Sequence, residues 1–338
     1  MNLPYAYGPP PLSGTLRSTP DDFRVDEILG YEADGEGPHW LLHIRKRGAN
    51  TAWVAEQLAK QIKRPLRDIS YAGLKDRHAV TTQTFCVHTG DDAPDWSTLS
   101  IAGVELLSAQ RHRRKLKRGA LQGNLFEITV RELTGDLAAA RGRLQQIREG
   151  GVPNYFGEQR FGRDGDNVQR ALALFAGKRT NRAQASILIS AARSQLFNAV
   201  LAERVARGNW QQGLAGEVWA LAGSRSWFGP QNPDPELQQR LAEQDIHPSA
   251  PLWGRGASPA ADACAELEQQ VLAPFEEIRR GLEGVGLKQE RRATRLFPED
   301  FEASFSDDQQ QLTVRFSLPA GSYATTVLRE LIGDHAAA

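Results

Sequence analysis

The sequence predicts an α+β fold in which a sheet domain is split by an inserted second domain. Three features support this prediction. Strand-like and helix-like patterns alternate over the first 150 residues, the pattern becomes mainly helical after Gly150-Gly151, and strand-like alternation returns near the carboxyl terminus. Because compact domains tolerate insertion at exposed loops, the last strand is expected to rejoin the first sheet. We predict a split domain of residues 1–153 and 301–338 and an inserted domain of residues 154–300.

Side-chain periodicity identifies elements of the first region. Residues 40–44 and 81–88 predict strands, the latter from their β-branched and aromatic side chains. Apolar residues from Val54 to Ile62 form one stripe at helical spacing, and Asn50 is a suitable N-cap for this helix. The region therefore combines strands with at least one amphipathic helix.

Two further strands show the alternation that is typical of a half-buried sheet. Apolar residues occupy every second position from Phe126 to Val130 and from Leu312 to Leu318. Helical patterns cover residues 136–149, 166–207 and 263–282, and a last helix follows the second of these strands. Residues 208–262 are rich in Gly, Pro, Trp and Ser and predict no clear element.

Composition indicates an ordinary globular protein. The 338 residues leave room for about two domains of ~100–200 residues each, and 40% hydrophobic and 24% charged residues are typical proportions. Two cysteines, Cys86 and Cys264, are too few for a disulfide framework or a cysteine-based metal site. The amino terminus predicts no signal peptide, and no run approaches the ~18 apolar residues of a membrane span. We expect a cytoplasmic protein that does not span a membrane.

Charge is unevenly distributed, although 41 basic and 41 acidic residues balance over the chain. From Arg45 to Arg118 there are 15 Lys and Arg against 7 Asp and Glu, whereas from Leu201 to Gln270 there are 5 Arg against 9 acids. A basic half favours a polyanion as partner. Because sequence neighbours also scatter over a folded surface, charge alone leaves nucleic-acid binding open.

The segment Lys75-Asp76-Arg77-His78 lies in a predicted loop, residues 72–81, that leads into a strand. Adjacent side chains of an extended chain point to opposite sides, so the two cations are expected to flank Asp76. Nearby positive charge favours the ionised form of a carboxylate, which can act as nucleophile, base or metal ligand. A solvated surface turn is the alternative, and the spacing alone does not exclude it. We interpret His78 as a structural or solvated imidazole.

A second segment, residues 111–118, carries six Lys and Arg in eight positions. Few acids nearby in the sequence neutralise this run, so contacts to a phosphate backbone are the favoured explanation. A solvated helix face is the alternative. The residues predicted to contact phosphates are Arg113, Arg114, Lys115, Lys117 and Arg118.

Two other segments combine aromatic residues with glycines. Residues 154–162, NYFGEQRFG, fit both a loop near a nucleic acid and a hinge between domains, since glycine allows close backbone approach. Residues 318–330 predict a strand, a turn and a helix that begins near Tyr323. An exposed Tyr323 would stack on a base and a buried one would belong to the core, and the sequence does not separate these two.

Together these segments resemble the TruD family of tRNA pseudouridine synthases. The resemblance rests on AGLKDRHAVT, KLKRGALQGN with a following phenylalanine, NYFGEQRFG and LPAGSYATTVLREL, which occur in the family's order between Thr15 and Leu331. Four motifs in one order are specific, whereas one alone is not. The resemblance implies a pseudouridine-synthase catalytic domain with a mixed, mostly antiparallel sheet and flanking helices, interrupted by an inserted α/β TRUD domain.

The resemblance also implies roles for individual residues. Asp76 matches the family's nucleophilic aspartate, and Arg17 falls where the family carries a basic residue that pairs with it. Substrate-binding positions are matched by Phe23, Asn124, Phe126 and Tyr323. Phe126 is expected to stack near the target base. Tyr323 replaces an expected phenylalanine and adds a hydroxyl, which changes its character as a stacking surface.

The implied reaction breaks the C1′–N1 bond of a uridine, turns the uracil and forms a C1′–C5 bond. A carboxylate beside the sugar can trap or stabilise a cationic C1′ or act as a base on the ribose, and the sequence leaves these roles of Asp76 open. No hydride moves and no group is added, so we expect no organic cofactor and no metal. The family implies tRNA as partner, with the uridine at position 13 as target. We expect a monomer without a protein partner.

Two other hypotheses fit parts of the sequence. A non-catalytic RNA-binding module would share the basic and aromatic segments, but the presence of Asp76, Asn124 and Phe126 argues against a decayed site. A metal-dependent phosphodiesterase or nuclease would need clustered acidic and histidine ligands. No H-x-E or H-E-x-x-H arrangement is formed by the seven histidines, which are His39, His43, His78, His88, His112, His247 and His335.

Overall fold

A computed structural model describes residues 3–333 of the chain. His335 lies outside the described residues. The helices are α1 Thr51–Gln61, α2 Leu137–Gly150, α3 Asn167–Phe175, α4 Arg182–Ala206, α5 Pro235–Ala242, α6 Asp262–Leu272, α7 Glu276–Gly284 and α8 Ala324–Leu328. The strands are β1 Leu12–Leu16, β2 Phe23–Ile28, β3 His39–Arg47, β4 Ile69–Tyr71, β5 Val80–His88, β6 Val104–His112, β7 Gly123–Gly135, β8 Val152–Pro153, β9 Glu217–Leu221, β10 Trp227–Gln231, β11 Ile246–Leu252, β12 Glu290–Ala293, β13 Arg295–Leu296, β14 Glu299–Phe305, β15 Leu312–Pro319 and β16 Ile332–Gly333.

The chain folds into two compact units, each of which is discontinuous in sequence. The first, which we call the sheet unit, comprises Pro11–Ala140, Pro298–Gly321 and, at the end of the described residues, Ile332 and Gly333. The second, which we call the helical unit, comprises residues 3–10, Arg141–Phe297 and Ser322–Leu331.

These units differ from the boundaries that the sequence predicts. Residues 3–10, 141–153 and 322–331 belong to the helical unit, whereas the prediction places them in the split domain. Arg143 shows one cause, since its guanidinium donates to the main-chain oxygens of Tyr7 and Glu330, both at 2.6 Å. Such long-range contacts leave no pattern in the sequence. The functional division into a catalytic domain and an inserted domain remains a prediction.

The sheet unit is built on one ten-stranded sheet. Its main path runs β14-β15-β7-β2-β5-β3-β6, with β1 paired to β7 and β16, and β4 paired to β5. The β2·β5 and β1·β16 pairs are parallel, and the other pairs of this sheet are antiparallel. The predicted mixed, mostly antiparallel sheet is confirmed, and β15 rejoins it beside β7.

The long strand β7 shows how sequence alternation builds this sheet. Phe126, Ile128 and Val130 are buried, whereas the side chains between them are only partly covered. In the register of the sheet Phe126 lies opposite Phe316 on β15 and Val25 on β2. Because side chains directly opposite each other share a face, these residues build one apolar layer.

A second apolar cluster lies under α1. Val54 and Leu58 of the helix pack in a cluster with Leu42 and Ile44 of β3 and Phe85 of β5. All five side chains are fully buried, as the predicted apolar stripe of this helix requires. The cluster also includes Ile69 of β4, which pairs with β5. It therefore fixes α1 beside the loop that connects these two strands.

The helical unit is organised around α4, a helix of 25 residues. Leu196, Phe197 and Val200 of α4 are fully buried in a cluster that also contains residues of α3, α6 and α7. The sheet β10-β9-β11-β12 and the pair β8·β13 complete the unit. The strands β9, β10 and β11 and the helix α5 lie within residues 208–262, where the sequence predicts no clear element. These elements are short and interrupted by Gly and Pro, so their periodicity is not visible in the sequence.

Of the described helices only α4 is long and apolar enough, by length and composition, to cross a membrane. Half of its most apolar window is buried inside the protein. A helix that is buried in the core of a protein can be as apolar as a membrane-spanning helix. The helix therefore implies no membrane.

Candidate active site

Asp76 lies in the predicted loop between β4 and β5. Its Oδ1 accepts a hydrogen bond from the main-chain N–H of His78 at 3.0 Å, a local turn that aspartate commonly makes. The carboxylate side chain is 32% exposed and is thus open to a ligand. The side chain of His78 is exposed, which agrees with a solvated imidazole.

Arg17 supplies the cation beside this carboxylate. Its Nη2 lies 3.0 Å from Asp76 Oδ2, and its Cζ lies 4.3 Å from the centroid of the Phe23 ring. Arg17 directly follows β1 and has a φ of 61°, a left-handed conformation that costs ~1–2 kcal/mol for a residue with a side chain. Strain of this kind persists only where surrounding contacts hold the residue, and it is concentrated at functional sites. The fold thus joins the two residues that the resemblance assigns to catalysis.

Four phenylalanines form a continuous cluster next to this ion pair. The ring centroids of Phe23 and Phe126 are 6.4 Å apart, those of Phe126 and Phe316 are 5.6 Å apart, and those of Phe316 and Phe301 are 5.9 Å apart. Phe23 is 5% and Phe126 is 8% exposed. The two rings predicted to contact substrate therefore adjoin each other, with little of either ring reaching solvent.

Lys46 is a buried cation that the sequence motifs did not single out. On β3 it is in phase with Leu42 and Ile44, and it is fully buried like them. Its ammonium donates to the main-chain oxygens of Ala49 at 2.6 Å and Asp76 at 2.8 Å. Burial lowers the pKa of Lys46 to about 8, against the opposing effect of the Asp76 charge. A lysine that continues an apolar alternation is the signal that identifies it.

Lys75, the residue before Asp76, is held at both its side chain and its main chain. Its Nζ lies 3.0 Å from Glu27 Oε2, and both side chains are buried. Glu27 Oε1 also accepts from the main-chain N–H of Thr84 at 3.1 Å. The main-chain N–H of Lys75 donates to Thr51 Oγ1 at 3.0 Å. Because breaking a buried ion pair leaves an uncompensated charge and is costly, these contacts are suited to fixing the loop.

Asn124 lies on β7, opposite Glu27 on β2 and Leu318 on β15. Its Oδ1 is buried and has no hydrogen-bond partner among residues 3–333. Most buried polar atoms in proteins have a partner, so an unpaired amide oxygen here is suited to a ligand. Phe126 is two positions along the same strand and therefore points to the same face.

The family model for tRNA pseudouridine synthase D (TruD) matches residues 2–172 and 165–331 of this chain. This chain belongs to the TruD family. The four motifs and the Asp76–Arg17 pair thus lie within the matched residues, and the predicted family is confirmed.

Several relatives of this TruD protein are known. A tRNA pseudouridine synthase D of Xanthomonas euvesicatoria pv. vesicatoria (strain 85-10) is 50% identical over 350 residues, covering 98% of this chain and 94% of the relative. One of Methylococcus capsulatus (strain ATCC 33009 / NCIMB 11132 / Bath) is 49% identical over 335 residues, with coverage of 98% and 94%. A TruD crystal structure from Methanosarcina mazei has a TM-score of 0.76 at 23% identity, covers 99% of this chain and 97% of its own, and shows the fold. The predicted fold class and the predicted class of enzyme, an isomerase, are confirmed.

In this TruD protein the basic segment is the end of β6 and the loop that follows. Its five predicted phosphate-contacting residues, Arg113, Arg114, Lys115, Lys117 and Arg118, are all exposed. One of them, Arg113, pairs with Glu36, and its main-chain N–H donates to Asp34. Both acids are far away in the sequence. Within residues 3–333, Arg114, Lys117 and Arg118 have no such ion pair.

Arg111, at the start of the same segment, has a structural role. Its guanidinium lies 4.7 Å from the ring centroid of Trp40. It also donates to four main-chain oxygens, those of Gly37, Gly90, Asp91 and Asp92. An arginine whose donors are satisfied by carbonyl oxygens is less free for phosphate than its exposed neighbours. The basic run is therefore part structural and part solvent-facing.

Tyr323 belongs to the helical unit, where it is the N-cap of α8. It is 8% exposed and lies in the core cluster of that unit. Its ring centroid lies 6.1 Å from that of Phe156, and its hydroxyl oxygen accepts from Arg160 Nε at 2.9 Å. Both partners come from the NYFGEQRFG segment, so the two glycine-containing segments pack together. The structure thus places Tyr323 in a core, and its contact with substrate stays a prediction.

Within residues 3–333, no group of three or more His, Cys, Asp and Glu side chains is arranged to hold a metal ion. Cys86 and Cys264 are buried free thiols, and burial raises the pKa of each. The cysteines are thus part of the packing of their units.

Proposed function

We propose that this TruD protein isomerises a uridine of tRNA, expected at position 13, to pseudouridine, with Asp76 as the nucleophile. The observation that carries the proposal is the 3.0 Å ion pair of Asp76 with Arg17, whose guanidinium lies over Phe23. A partly exposed carboxylate with a paired cation and aromatic neighbours suits attack on the sugar carbon of a glycosidic bond. The names of the relatives supply tRNA as the substrate class.

The reaction is balanced without an outside reactant. Asp76 bonds to C1′ as the C1′–N1 bond breaks, and the uracil turns. C5 then bonds to C1′ as the carboxylate leaves. C5 loses one proton and N1 gains one, so the product is an isomer and no electrons are gained or lost. We therefore propose that no organic cofactor takes part.

The surrounding cations have separate tasks in this proposal. Arg17 compensates the charge of the carboxylate at Oδ2, while the main-chain N–H of His78 occupies Oδ1. Lys46 holds the main chain of Asp76, and Lys75 is anchored on Glu27. A nucleophile must be held within a fraction of an ångström of its target to be effective. These contacts supply that rigidity.

Substrate binding in this proposal combines base recognition and phosphate contacts. Removing a base from its stack costs a few kcal/mol, which stacking on aromatic rings offsets by ~1–3 kcal/mol per base. Phe126 and Phe23 are the candidates for that contact, and the unpaired Oδ1 of Asn124 is an acceptor for the uracil imino N–H. The exposed residues of the basic segment, Arg114, Lys117 and Arg118 among them, would hold the backbone.

Replacement of the nucleophile tests the proposal. Asp76→Asn should bind a tRNA transcript with unchanged Kd and form no pseudouridine, because the amide cannot attack C1′. The readouts are filter binding and tritium release from RNA that is labelled at C5 of uridine. Asp91→Asn, an exposed carboxylate of the same unit, serves as the matched control and should keep full activity.

Two outcomes would contradict the proposal. Normal tritium release by Asp76→Asn would remove this residue from the chemistry. Binding of tRNA by the wild-type protein without any release would favour a non-catalytic RNA-binding module. Comparing the pseudouridines of total tRNA from cells with and without the protein identifies the modified position.

We further propose that the protein acts as a cytoplasmic monomer without a protein partner. This part of the proposal rests on the sequence, whose two predicted domains can already supply both walls of a cleft for the RNA and whose two cysteines fit a reducing compartment. Sedimentation equilibrium of the purified chain measures its mass directly, and a fluorescent fusion reports its compartment. A dimer at micromolar concentration would contradict the proposed state.

A further inference from the structure

Exposed apolar side chains collect beside the loop that carries Asp76. Among the described residues nine large hydrophobic side chains are exposed, and three of them line two adjoining hollows of the sheet unit. They are Trp53 (39% exposed), Leu66 (49%) and Leu74 (74%), the last being the most exposed of the nine. Single exposed apolar residues are ordinary on protein surfaces, whereas a local group of them marks a binding surface.

The first hollow lies between α1 and the Asp76 loop. It has a volume of about 330 Å³, within the ~300–1,000 Å³ that is typical of small-ligand sites. Trp53 and Glu56 of α1 line one side, and Leu74 and Lys75 line the other. The site thus offers an aromatic ring, an apolar side chain and a carboxylate to one ligand.

The second hollow continues the first along α1. It has a volume of about 260 Å³, and its lining includes Leu66, Tyr71 and Arg118. Ala52 and Glu56 line both hollows, so the two form one groove. Arg118 has no ion pair with a described residue and belongs to the basic segment, which gives this end of the groove a free positive charge.

The groove is connected to the reactive loop by covalent and hydrogen bonds. Leu74 precedes Asp76 by two residues, so their Cα atoms are at most ~7 Å apart. The hydrogen bond from the Lys75 N–H to Thr51 Oγ1, at 3.0 Å, ties the first turn of α1 to the same loop. A ligand in the first hollow therefore lies about one nucleotide away from a uridine that is held at Asp76.

We propose that this groove binds a nucleotide adjacent to the target uridine, with its base against Trp53 and Leu74 and its phosphate near Arg118. This inference rests on the proposed function. Enzymes that extrude a base also contact the flanking nucleotides, and aromatic platforms accept bases of any sequence. Glu56 repels phosphate and accepts hydrogen bonds, so it faces base or ribose donors rather than the backbone. The positive end at Arg118 and the apolar end at Leu74 thus fit the two halves of one nucleotide.

A double-mutant cycle, in which a protein variant is combined with a modified tRNA, tests the site. Synthetic tRNAs carry an abasic residue on the 5′ or the 3′ side of the target uridine, and kcat/KM is measured with wild-type protein and with Trp53→Ala. Trp53→Ala and the abasic residue at the neighbour that occupies the groove should each lower kcat/KM by about 5- to 150-fold, the equivalent of ~1–3 kcal/mol for one stacked base. For this neighbour, Trp53→Ala combined with the abasic tRNA should lower kcat/KM no further than either change alone, because both changes remove the same contact. Trp227→Ala, an equally exposed tryptophan of the helical unit, should behave like wild type.

The outcomes separate this inference from the proposed function. Losses that multiply for both neighbours, or Trp53→Ala and Leu74→Ala variants with wild-type kcat/KM, would overturn the nucleotide site while leaving the activity intact. If the wild-type protein forms no pseudouridine, 2-aminopurine beside the uridine still reports binding. Its fluorescence should be quenched by the wild-type protein and less by Trp53→Ala. Equal quenching by the two proteins would also overturn the site.

Discussion

The buried ammonium of Lys46 donates a 2.8 Å hydrogen bond to the main-chain oxygen of Asp76 and a 2.6 Å hydrogen bond to that of Ala49. The side chain thus links the end of β3 to the loop that carries Asp76, the proposed nucleophile. A lysine in this place acts through another residue, so we assign it a positioning role. Its effect on turnover is expected to be separable from its effect on binding.

Replacing Lys46 tests that role. Lys46→Met should lower the stability by ~2–6 kcal/mol, because the main-chain oxygens of Ala49 and Asp76 lose their donor at ~1–3 kcal/mol each. At a temperature where the variant is folded, kcat should fall at least tenfold while the Kd for tRNA stays unchanged. Lys60→Met, on the exposed side of α1, is the matched control. A variant with normal kcat and reduced stability would reduce Lys46 to a purely structural residue.

The left-handed backbone of Arg17 predicts that two variants with the same loss of activity differ in stability. Arg17→Gly and Arg17→Ala both remove the cation beside Asp76, so both should lose most of their turnover. Glycine adopts a φ of 61° without the penalty that alanine has, so Arg17→Gly should be more stable than Arg17→Ala by ~1 kcal/mol. Chemical denaturation measures the difference. Equal stability of the two variants would show that the backbone at this position relaxes.

The exposed part of the basic segment should control the salt dependence of tRNA binding. Arg114→Ala should weaken binding and reduce the slope of log K against log salt concentration by ~1, as expected for one lost phosphate contact. Arg113→Ala should change the slope less, because Glu36 already pairs with this guanidinium. Binding titrations between low and physiological salt give both slopes. An unchanged slope for Arg114→Ala would place the RNA backbone elsewhere.

His247 predicts an acid-sensitive step in the stability of the helical unit. Burial, with a smaller contribution from Arg295, lowers the pKa of His247 to about 4, and Arg295 Nε donates to its Nδ1 at 2.8 Å. Since the pKa is about 6.5 in the unfolded chain, the unfolded state binds the proton first. Stability from the neutral imidazole is therefore complete above pH 6.5 and is lost as the pH falls towards 4.

Thermal unfolding at pH 7 and pH 4.5 measures this loss. The wild-type protein should lose up to ~2.5 kcal/mol from this residue between the two pH values. His247→Gln keeps an acceptor for Arg295 and should lack that part of the pH dependence. His78→Gln, in the exposed loop, should retain it. The same pH dependence in His247→Gln as in the wild type would assign the effect to other groups.

The amino-acid sequence by itself determined the elements with strong periodicity and the family. Alternation placed β7 and β15, the apolar stripe placed α1, and the four ordered motifs identified the Asp76 loop. These features are local, since a strand or helix that buries one face repeats its apolar residues at a fixed spacing. The resemblance to the family carried the assignment of Asp76, Arg17, Phe23, Asn124, Phe126 and Tyr323 as candidates.

Only the tertiary structure decided what surrounds them. It buried Lys46 and Glu27 on the sheet, paired Arg113 with an acid remote in the sequence, placed Tyr323 in a core and divided the chain into units with interleaved segments. Each of these depends on contacts between residues far apart in the chain. The sequence specifies which side chains carry a charge, but strand pairing determines which partner each of them contacts. A buried charge without a partner is costly, so a fold that buries a charged side chain must also supply its partner.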